Sequence, residues 1–370
     1  MELRPVSAIA DVSPVQWDAL AAGHPFLRHT FLQAFEATGC ASPASGWSPH
    51  HLTLWDGNSL AGAVPLYEKT HSYGEFVFDW AWAEAYERAG LAYYPKLLTA
   101  VPFTPVQGPR FLARDARVRD ALIEECLRWV HNSQASSWHV LFPTAEEAEQ
   151  LTGRGLIIRR GVQFHWQNRG YRDFADFLDT LTRDKRKKIR QERRKVTEAG
   201  VSLRRLPGRD LQRPDWEFFY RCYCRTFYDL GRMPYLNLDF FLQVGAAMAE
   251  NVLMVVAEQA GKPIAAALDV LDGVSLYGRY WGGLEFVSGL HFETCYYQGI
   301  EYCIEKGLNT FEGGAQGEHK LARGFEPEAT LSAHWLRDPR FADAVARFLA
   351  RESQGVDLYL DELEEHTPFK

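Results

Sequence analysis

Between Phe311 and Pro327 the chain reads FEGGAQGEHKLARGFEP, a run that sets glycines among ionisable groups. Gly313, Gly314 and Gly317 lack a Cβ, so backbone N–H groups there can come close to a ligand. Glu312 and Glu318 are candidate bases, and His319 is a candidate proton shuttle. Lys320 and Arg323 are candidate partners for an oxyanion or a phosphate, and Gln316 joins the substrate-binding set. The competing reading is a glycine loop whose charges are only solvated.

Other segments carry chemistry-bearing side chains. Arg279, Tyr280 and Trp281 close an apolar strand just before Gly282-Gly283, the kind of strand end at which an α/β sheet opens a crevice. Tyr280 and Trp281 read equally well as core aromatics. His291 and Glu293 open the next helix, where exposed N–H groups favour anions. Glu293 is better explained as a first-turn carboxylate. In the first half, YYPKLLTAVPFTPVQGPR is fixed repeatedly by Pro95, Pro102, Pro105 and Pro109. Tyr93, Tyr94 and Phe103 offer stacking surfaces, with Lys96 and Arg110 as cations for a diphosphate. His71, Glu75 and Asp79 lie just upstream, and an acidic pair beside aromatics suits recognition of an amine. Packing of an irregular loop accounts for the same residues.

The basic run RDKRKKIRQERRK holds nine Lys/Arg between positions 183 and 195 against Asp184 and Glu192, a local charge of +7 in a chain of net −7. The remainder therefore carries −14. Such a protein has one local anion-binding face rather than a general affinity for DNA. Leu178, Leu181, Ile189 and Val196 form a narrow apolar stripe on a helix drawn over about 174–198. Arg186, Lys188 and Arg190 are the candidate contacts to a phosphate-bearing donor; a solvated helix paired with the acidic remainder is the alternative.

These groups need a scaffold of more than one domain, because 370 residues exceed the ordinary size of one. Hydrophobic residues at 46% and charged residues at 24% describe a globular chain with a sizeable core and exclude disorder. The six cysteines have neither disulfide nor zinc spacing, and no 18-residue apolar stretch occurs, so the expectation is a cytoplasmic protein with no membrane span. HLTLWDGNSLAGAVPLYEK reads as two strands turning at Asp56-Gly57-Asn58. FLARDARVRDALIEECLRWVHNSQ is an amphipathic helix buried through Val118, Leu122, Cys126, Trp129 and Val130. Strand, helix and strand recur in the second half, which points to an α/β (α+β) unit used twice. The expected domains are 1–168 and 169–370, with the docking of a tail 328–370 left open.

HLTLW, AVPLYEKTHSYGEFVFDWAWAEAYERAGLAYYPKLLTAVPFTPVQGPR, LTRDKRKKIRQERRKV, YGRYWGGLEFVSGLHFETCYYQGIEYCIEKGL and FEGGAQGEHKLARGFEP together resemble the FemAB-like family of predicted N-acyltransferases, over about residues 25–340. The resemblance implies two tandem GNAT-like acyltransferase domains side by side, of the Fem type, associated with peptidoglycan biosynthesis. It implies an acyl or aminoacyl group passed to a primary amine of a small molecule or cell-wall precursor, with tRNA as a partner. Members of the wider Fem group carry a lysine some way after a strand ending in Gly-Gly, and Lys320 matches it.

Acetyl-CoA enzymes of this fold hold the pyrophosphate with an Arg/Gln-x-x-Gly-x-Gly/Ala turn before a helix. No such turn occurs; the nearest, ERAGLA, has Glu87 in the cationic position. Aminoacyl-tRNA is therefore favoured over acyl-CoA as donor, and no tightly bound cofactor or metal is expected. His50-His51 and Cys222/Cys224 lack ligand spacing. The remaining readings are a non-catalytic module that binds precursor or tRNA, and a CoA-dependent N-acetyltransferase.

Overall fold

The computed structural model describes every residue except Ala315, Gln316 and His366. It divides into two compact units, Met1–Val162 with Ala329–Leu358, and Gln163–Glu328 with Tyr359–Lys370. The chain passes between them inside β9 (Ile157–Gln167), β15 (Glu326–Leu336) and α12 (Pro339–Glu365).

In the first unit, β1 (Glu2–Val6), β3 (His51–Asp56), β4 (Ser59–Val64) and β7 (Leu112–Ala113) form an antiparallel four-stranded sheet. The expected hairpin lies at its centre: Gly57 takes φ +63°, which a turn this tight demands of a residue without a Cβ. A second run pairs β15 with β8 (Ser137–Leu141), β6 (Lys96–Thr99), β5 (Leu66–Lys69) and β2 (Trp47–Pro49), the β6–β8 pair being parallel. Helices α1 (Pro14–Leu20), α2 (His29–Ala37), α3 (Trp80–Arg88), α4 (Ala116–Asn132) and α5 (Ala145–Thr152) cover these strands.

The cap of α4 is Asp115, whose carboxylate accepts from the Val118 N–H at 2.8 Å. Its buried stripe is Val118, Leu122, Ile123, Cys126 and Val130, packed on Leu52, Leu54 and Trp138. Trp129 reaches this core only partly buried. Val345 and Leu349 of α12 pack within the same unit on Trp82, Tyr86 and Tyr93.

The second unit holds α6 (Phe174–Thr180), α7 (Arg183–Glu198), β10 (Val201–Pro207), α8 (Arg213–Asp229), α9 (Leu238–Ala247), β11 (Val252–Gln259), β12 (Lys262–Leu271), β13 (Ser275–Gly283), α10 (Leu290–Phe292), α11 (Gln298–Lys306) and β14 (Thr310–Glu312). Its strands run β10-β11-β12-β13-β14-β9, antiparallel except for β13 and β14.

The single helix expected over 174–198 is two helices. Leu181 is extended (φ −79°, ψ 156°) and ends α6, and the Thr182 N–H donates to Pro368 O instead of continuing a helical ladder. Ile189 and Val196 remain the buried face of α7, as the stripe requires. A π-helical turn, Glu293–Tyr297, joins α10 to α11; such turns cluster at functional sites. On the opposite face α8 lies against β13 so closely that a Cβ on Gly282 would meet Cys222 O at 1.8 Å. Only glycine fits there.

Candidate active site

The site begins where two parallel strands part. β13 pairs with β14 at Ser275–Thr310, Leu276–Phe311 and Tyr277–Glu312. Beyond Tyr277, β13 runs on to Gly283 paired only with β12, and among the described residues no strand continues on its other side. The chain after Glu312 turns away through Gly313 and Gly314, the latter at φ +84°. The wedge holds a cavity of about 110 Å³. Arg279, Tyr280 and Trp281 line it from β13, His291, Cys295 and Tyr296 from the π-containing helix, and Gly313 and Gly314 from the far side. Trp281 and His291 also border a larger groove of about 550 Å³ that passes the turn Leu284–Gly289. Strands that part in this way open a crevice between them at a sheet's interior, a recurrent place for a ligand.

The Phe311–Pro327 run is folded around this wedge. Lys320 is 1% exposed, and its Nζ donates to Gly314 O at 2.6 Å, with its stem beneath Gly313. Burial lowers its pKa to about 8. His319 Nε2 lies 3.0 Å from the Tyr296 hydroxyl, and its ring is 6.1 Å from that of His291. Burial and then the charges of Arg323, Lys320 and Lys188 lower the His319 pKa. His291 is pulled down to about 4, first by burial, so it stands neutral near pH 7.

Arg323 is committed within the protein. It donates to Glu192 Oε1 at 2.7 Å and His319 O at 2.5 Å, and its guanidinium carbon lies 3.3 Å from the Phe292 ring centre. Glu312 is pushed up to about 8, chiefly by burial; Arg279 opposes that rise, and Asp272 and Glu328 add to it. Glu318 faces outward and accepts from the Tyr359 hydroxyl at 2.8 Å. Gln316 lies outside the described residues.

Tyr280 serves both readings offered for it. It borders the cavity, and its ring packs on Tyr223 and Phe241 at 5.3 and 5.6 Å. Glu293 is the structural carboxylate expected, held by Arg193 through two 3.0 Å hydrogen bonds.

The first-unit candidates form a separate group with internal partners. Lys96 is fully buried, and its Nζ donates to Glu75 Oε2 at 2.7 Å, Asp79 Oδ2 at 2.5 Å and Ser72 Oγ at 2.7 Å. The acidic pair thus holds the protein's own amine, and Lys96 is not presented to a diphosphate. Arg110 is also fully buried and donates to the carbonyls of Val106, Gly108, Pro109 and Leu141. It ties the proline-rich segment to β8. Phe103 packs in the core on Trp47 at 5.0 Å, and the Tyr94 hydroxyl lies 2.9 Å from Ser72 Oγ. His51 meets Glu36 at 2.7 Å, and Cys222 and Cys224 are buried.

On α7, Arg186 pairs with Asp179 at 3.2 Å and Arg193 with Glu293 and Glu301. Arg183, Lys185, Lys187, Lys188, Arg190 and Lys195 have no ion-pair partner among the described residues.

Sequence reading passed over Asp269 and Cys295. Asp269 is a carboxylate within the apolar strand IAAALDVL, and that interruption was its one visible signal. It also lines the wedge.

A strand pair that parts beside a helix, in a mixed α/β chain of two units, is a two-domain GNAT-like fold. The chain belongs to the FemAB-like family, described as peptidoglycan biosynthesis/recognition, which matches residues 8–370. The solved structure of FemX is similar over 94% of this chain and 100% of its own, with TM-score 0.58 and 12% identity. The C-terminal domain of a protein assigned as a lysylphosphatidylglycerol synthetase from Agrobacterium fabrum is similar over 93% and 97%, with TM-score 0.56 and 9% identity. L-PGS from Bacillus licheniformis covers 86% of this chain and 96% of its own, with TM-score 0.52 and 10% identity. No curated protein sequence matches. Among the described residues no helix is long and apolar enough to cross a membrane.

Proposed function

We propose that this protein is a Fem-type N-acyltransferase that passes an aminoacyl group from aminoacyl-tRNA to a primary amine, with a cell-wall precursor as the acceptor class. The carrying observation is the parting of β13 from β14 beside Gly313-Gly314. An acyl carbonyl in that wedge would lie along the edge of β13 that pairs with no second strand among the described residues, and backbone N–H groups are a recurrent means of stabilising a tetrahedral oxyanion where charge develops. His291, neutral near pH 7, is suited to take a proton from the attacking amine. Lys320 braces Gly314 and supports the oxyanion electrostatically from behind. Arg279 and Trp281 flank the acyl group.

Two features favour tRNA as the carrier. The turn between β13 and α10, Leu284–Gly289, carries Glu285 and the exposed Phe286 and no cation, so it is a poor seat for a diphosphate. The unpaired cations of α7 include Lys188, whose charge reaches His319 beside the wedge. They suit a chain of phosphates. Membership of a family described as peptidoglycan biosynthesis/recognition, and a fold shared with FemX, support this reading.

The test is transfer by the purified protein to amine-bearing precursor peptides, followed by mass spectrometry with aminoacyl-tRNA and acetyl-CoA in parallel. Mass gain with aminoacyl-tRNA is expected. Transfer from acetyl-CoA alone, or from neither, would overturn the proposal.

A further inference from the structure

The pairing of β12 with β13 slips register between Leu268 and Asp269. A bulge of this kind bends a strand and re-aims a side chain, and bulges recur beside active sites. The residue paired with Asp269 is Gly278, and a Cβ there would lie 3.6 Å from Asp269 Oδ1, as well as 3.3 Å from the Phe311 ring and 3.4 Å from Glu312 O, so glycine keeps a side chain from covering the carboxyl on this side. The side chain lines the wedge and is 2% exposed.

Among the described residues Asp269 Oδ2 has no hydrogen-bond partner, and no lysine or arginine pairs with the carboxyl. The thiols of Cys295 and Cys303, on the helix facing it, lie within electrostatic reach of the carboxyl and are themselves held protonated, chiefly by burial. Burial without a cation favours the neutral acid, and the Asp269 pKa is raised well above the carboxylate range. Buried polar atoms nearly always find partners, so an unfilled one that lines a cleft marks a place for a ligand atom. A carboxylic acid kept neutral by an apolar site is an established means of donating a hydrogen bond or proton at neutral pH.

We infer that Asp269 is the general acid of the transfer, delivering its proton to the leaving oxygen of an oxygen-ester donor. The inference rests on the transfer reading above. The acceptor nitrogen attacks the acyl carbon and forms the C–N bond. As the tetrahedral intermediate collapses, the bond from the acyl carbon to the donor oxygen breaks, and its electron pair stays on that oxygen. The Asp269 proton completes the released hydroxyl. The nitrogen, carrying one proton too many after attack, gives it to His291, which lines the same wedge and passes it to the Asp269 carboxylate, restoring the neutral acid. The donor class this serves is the ester of an aliphatic hydroxyl, whose alkoxide leaves poorly without a proton; a thiolate needs no such help.

The experiment compares wild type with Asp269→Asn, nearly identical in shape, on two donors of one aminoacyl group: an ester of a ribose hydroxyl and a p-nitrophenyl ester. A general acid supplies ~100–10,000-fold. The variant is expected to lose kcat/KM on the ribose ester by a factor in that range. Its loss on the nitrophenyl ester, whose leaving group needs no proton, should be about tenfold smaller or less again. Equal losses on both donors, or none on either, overturn the assignment while the transfer reading stands. A wild type inactive on both donors defeats the transfer reading itself. Difference infrared spectroscopy supplies an arm independent of turnover. A protonated-carboxyl band at pH 7 that vanishes in Asp269→Asn is expected, and an ionised Asp269 overturns the inference.

Discussion

The ammonium of Lys320 lies 2.6 Å from the carbonyl oxygen of Gly314. Gly314 stands at φ +84° where the chain leaves β14, so the lysine fixes the peptide that forms one wall of the wedge. A charged hydrogen bond contributes about 1.5–3 kcal/mol, and a buried carbonyl left unpaired costs a similar amount. Lys320→Met keeps the stem and removes the charge. It should lower unfolding free energy by about 2 kcal/mol in urea titration, and it should lower kcat/KM for transfer by more than that loss of folded protein explains. A variant with wild-type stability and wild-type turnover would show that the brace has no part in the site.

In the first unit the corresponding commitment is Lys96 between Glu75 and Asp79, all nearly or fully buried. Removing one partner of a buried ion pair leaves an uncompensated charge and costs about 3–5 kcal/mol. Lys96→Met should lose that much in urea unfolding, and adding Glu75→Gln and Asp79→Asn should recover a large part of it. Unchanged stability in the single variant would mean that the cluster is not held as an ion pair. Glu75 is pushed up to about 7, mainly by burial, and the neutral form it then favours moderates the expected loss.

How much of this could be read from the chain depends on the range over which each cause acts. The hairpin at Asp56–Asn58 and the capped helix Ala116–Asn132 follow from neighbours a few residues apart, and they stand where the pattern puts them. The break at Leu181–Thr182 was hidden because the Thr182 N–H is satisfied by Pro368, far along the sequence. Lys96 and Arg110 look like ligand-seeking cations in one dimension because the carboxylates and carbonyls that claim them arrive from other strands and loops. Asp269 escaped for the opposite reason. It stands alone in an apolar strand, and its meaning comes from a register slip and from a glycine on the neighbouring strand. Sequence named the glycine-lysine segment, and the parting of two strands made a cleft of it.

His139 Nδ1 and His334 Nδ1 face each other at 2.7 Å, so one ring must donate and the other accept. Burial lowers His139 to about 3 and His334 well below its usual value. Both pKa values are lower in the folded chain than in the unfolded one. Below pH 6.5 the unfolded chain therefore binds protons that the folded chain refuses, and stability is lost as the pH falls. One fully depressed histidine costs about 2 kcal/mol between pH 7 and pH 5. Glu75, raised in the fold, works in the other direction over part of this range. The clean observable is a difference: His334→Gln should lose less unfolding free energy than wild type on going from pH 7 to pH 5. An equal or greater loss in the variant would mean that the imidazole pair does not set the acid sensitivity.

The row of cations on α7 makes a separate, ionic-strength-dependent prediction. Among the described residues Lys188 and Arg190 are exposed and carry no ion pair, and Arg186 pairs with Asp179 alone. Each phosphate neutralised contributes about 0.7–0.9 to the slope of log affinity against log salt. Replacing Arg186, Lys188 and Arg190 by Gln should reduce the magnitude of that slope for tRNA by about 2, measured by filter binding over a potassium chloride series. Arg193 belongs to the same basic run but is spent on Glu293 and Glu301. Arg193→Gln should therefore lower stability and leave the salt slope in place. A slope unaltered by the triple substitution would return α7 to the role of a solvated helix and remove the main support for a polyphosphate donor.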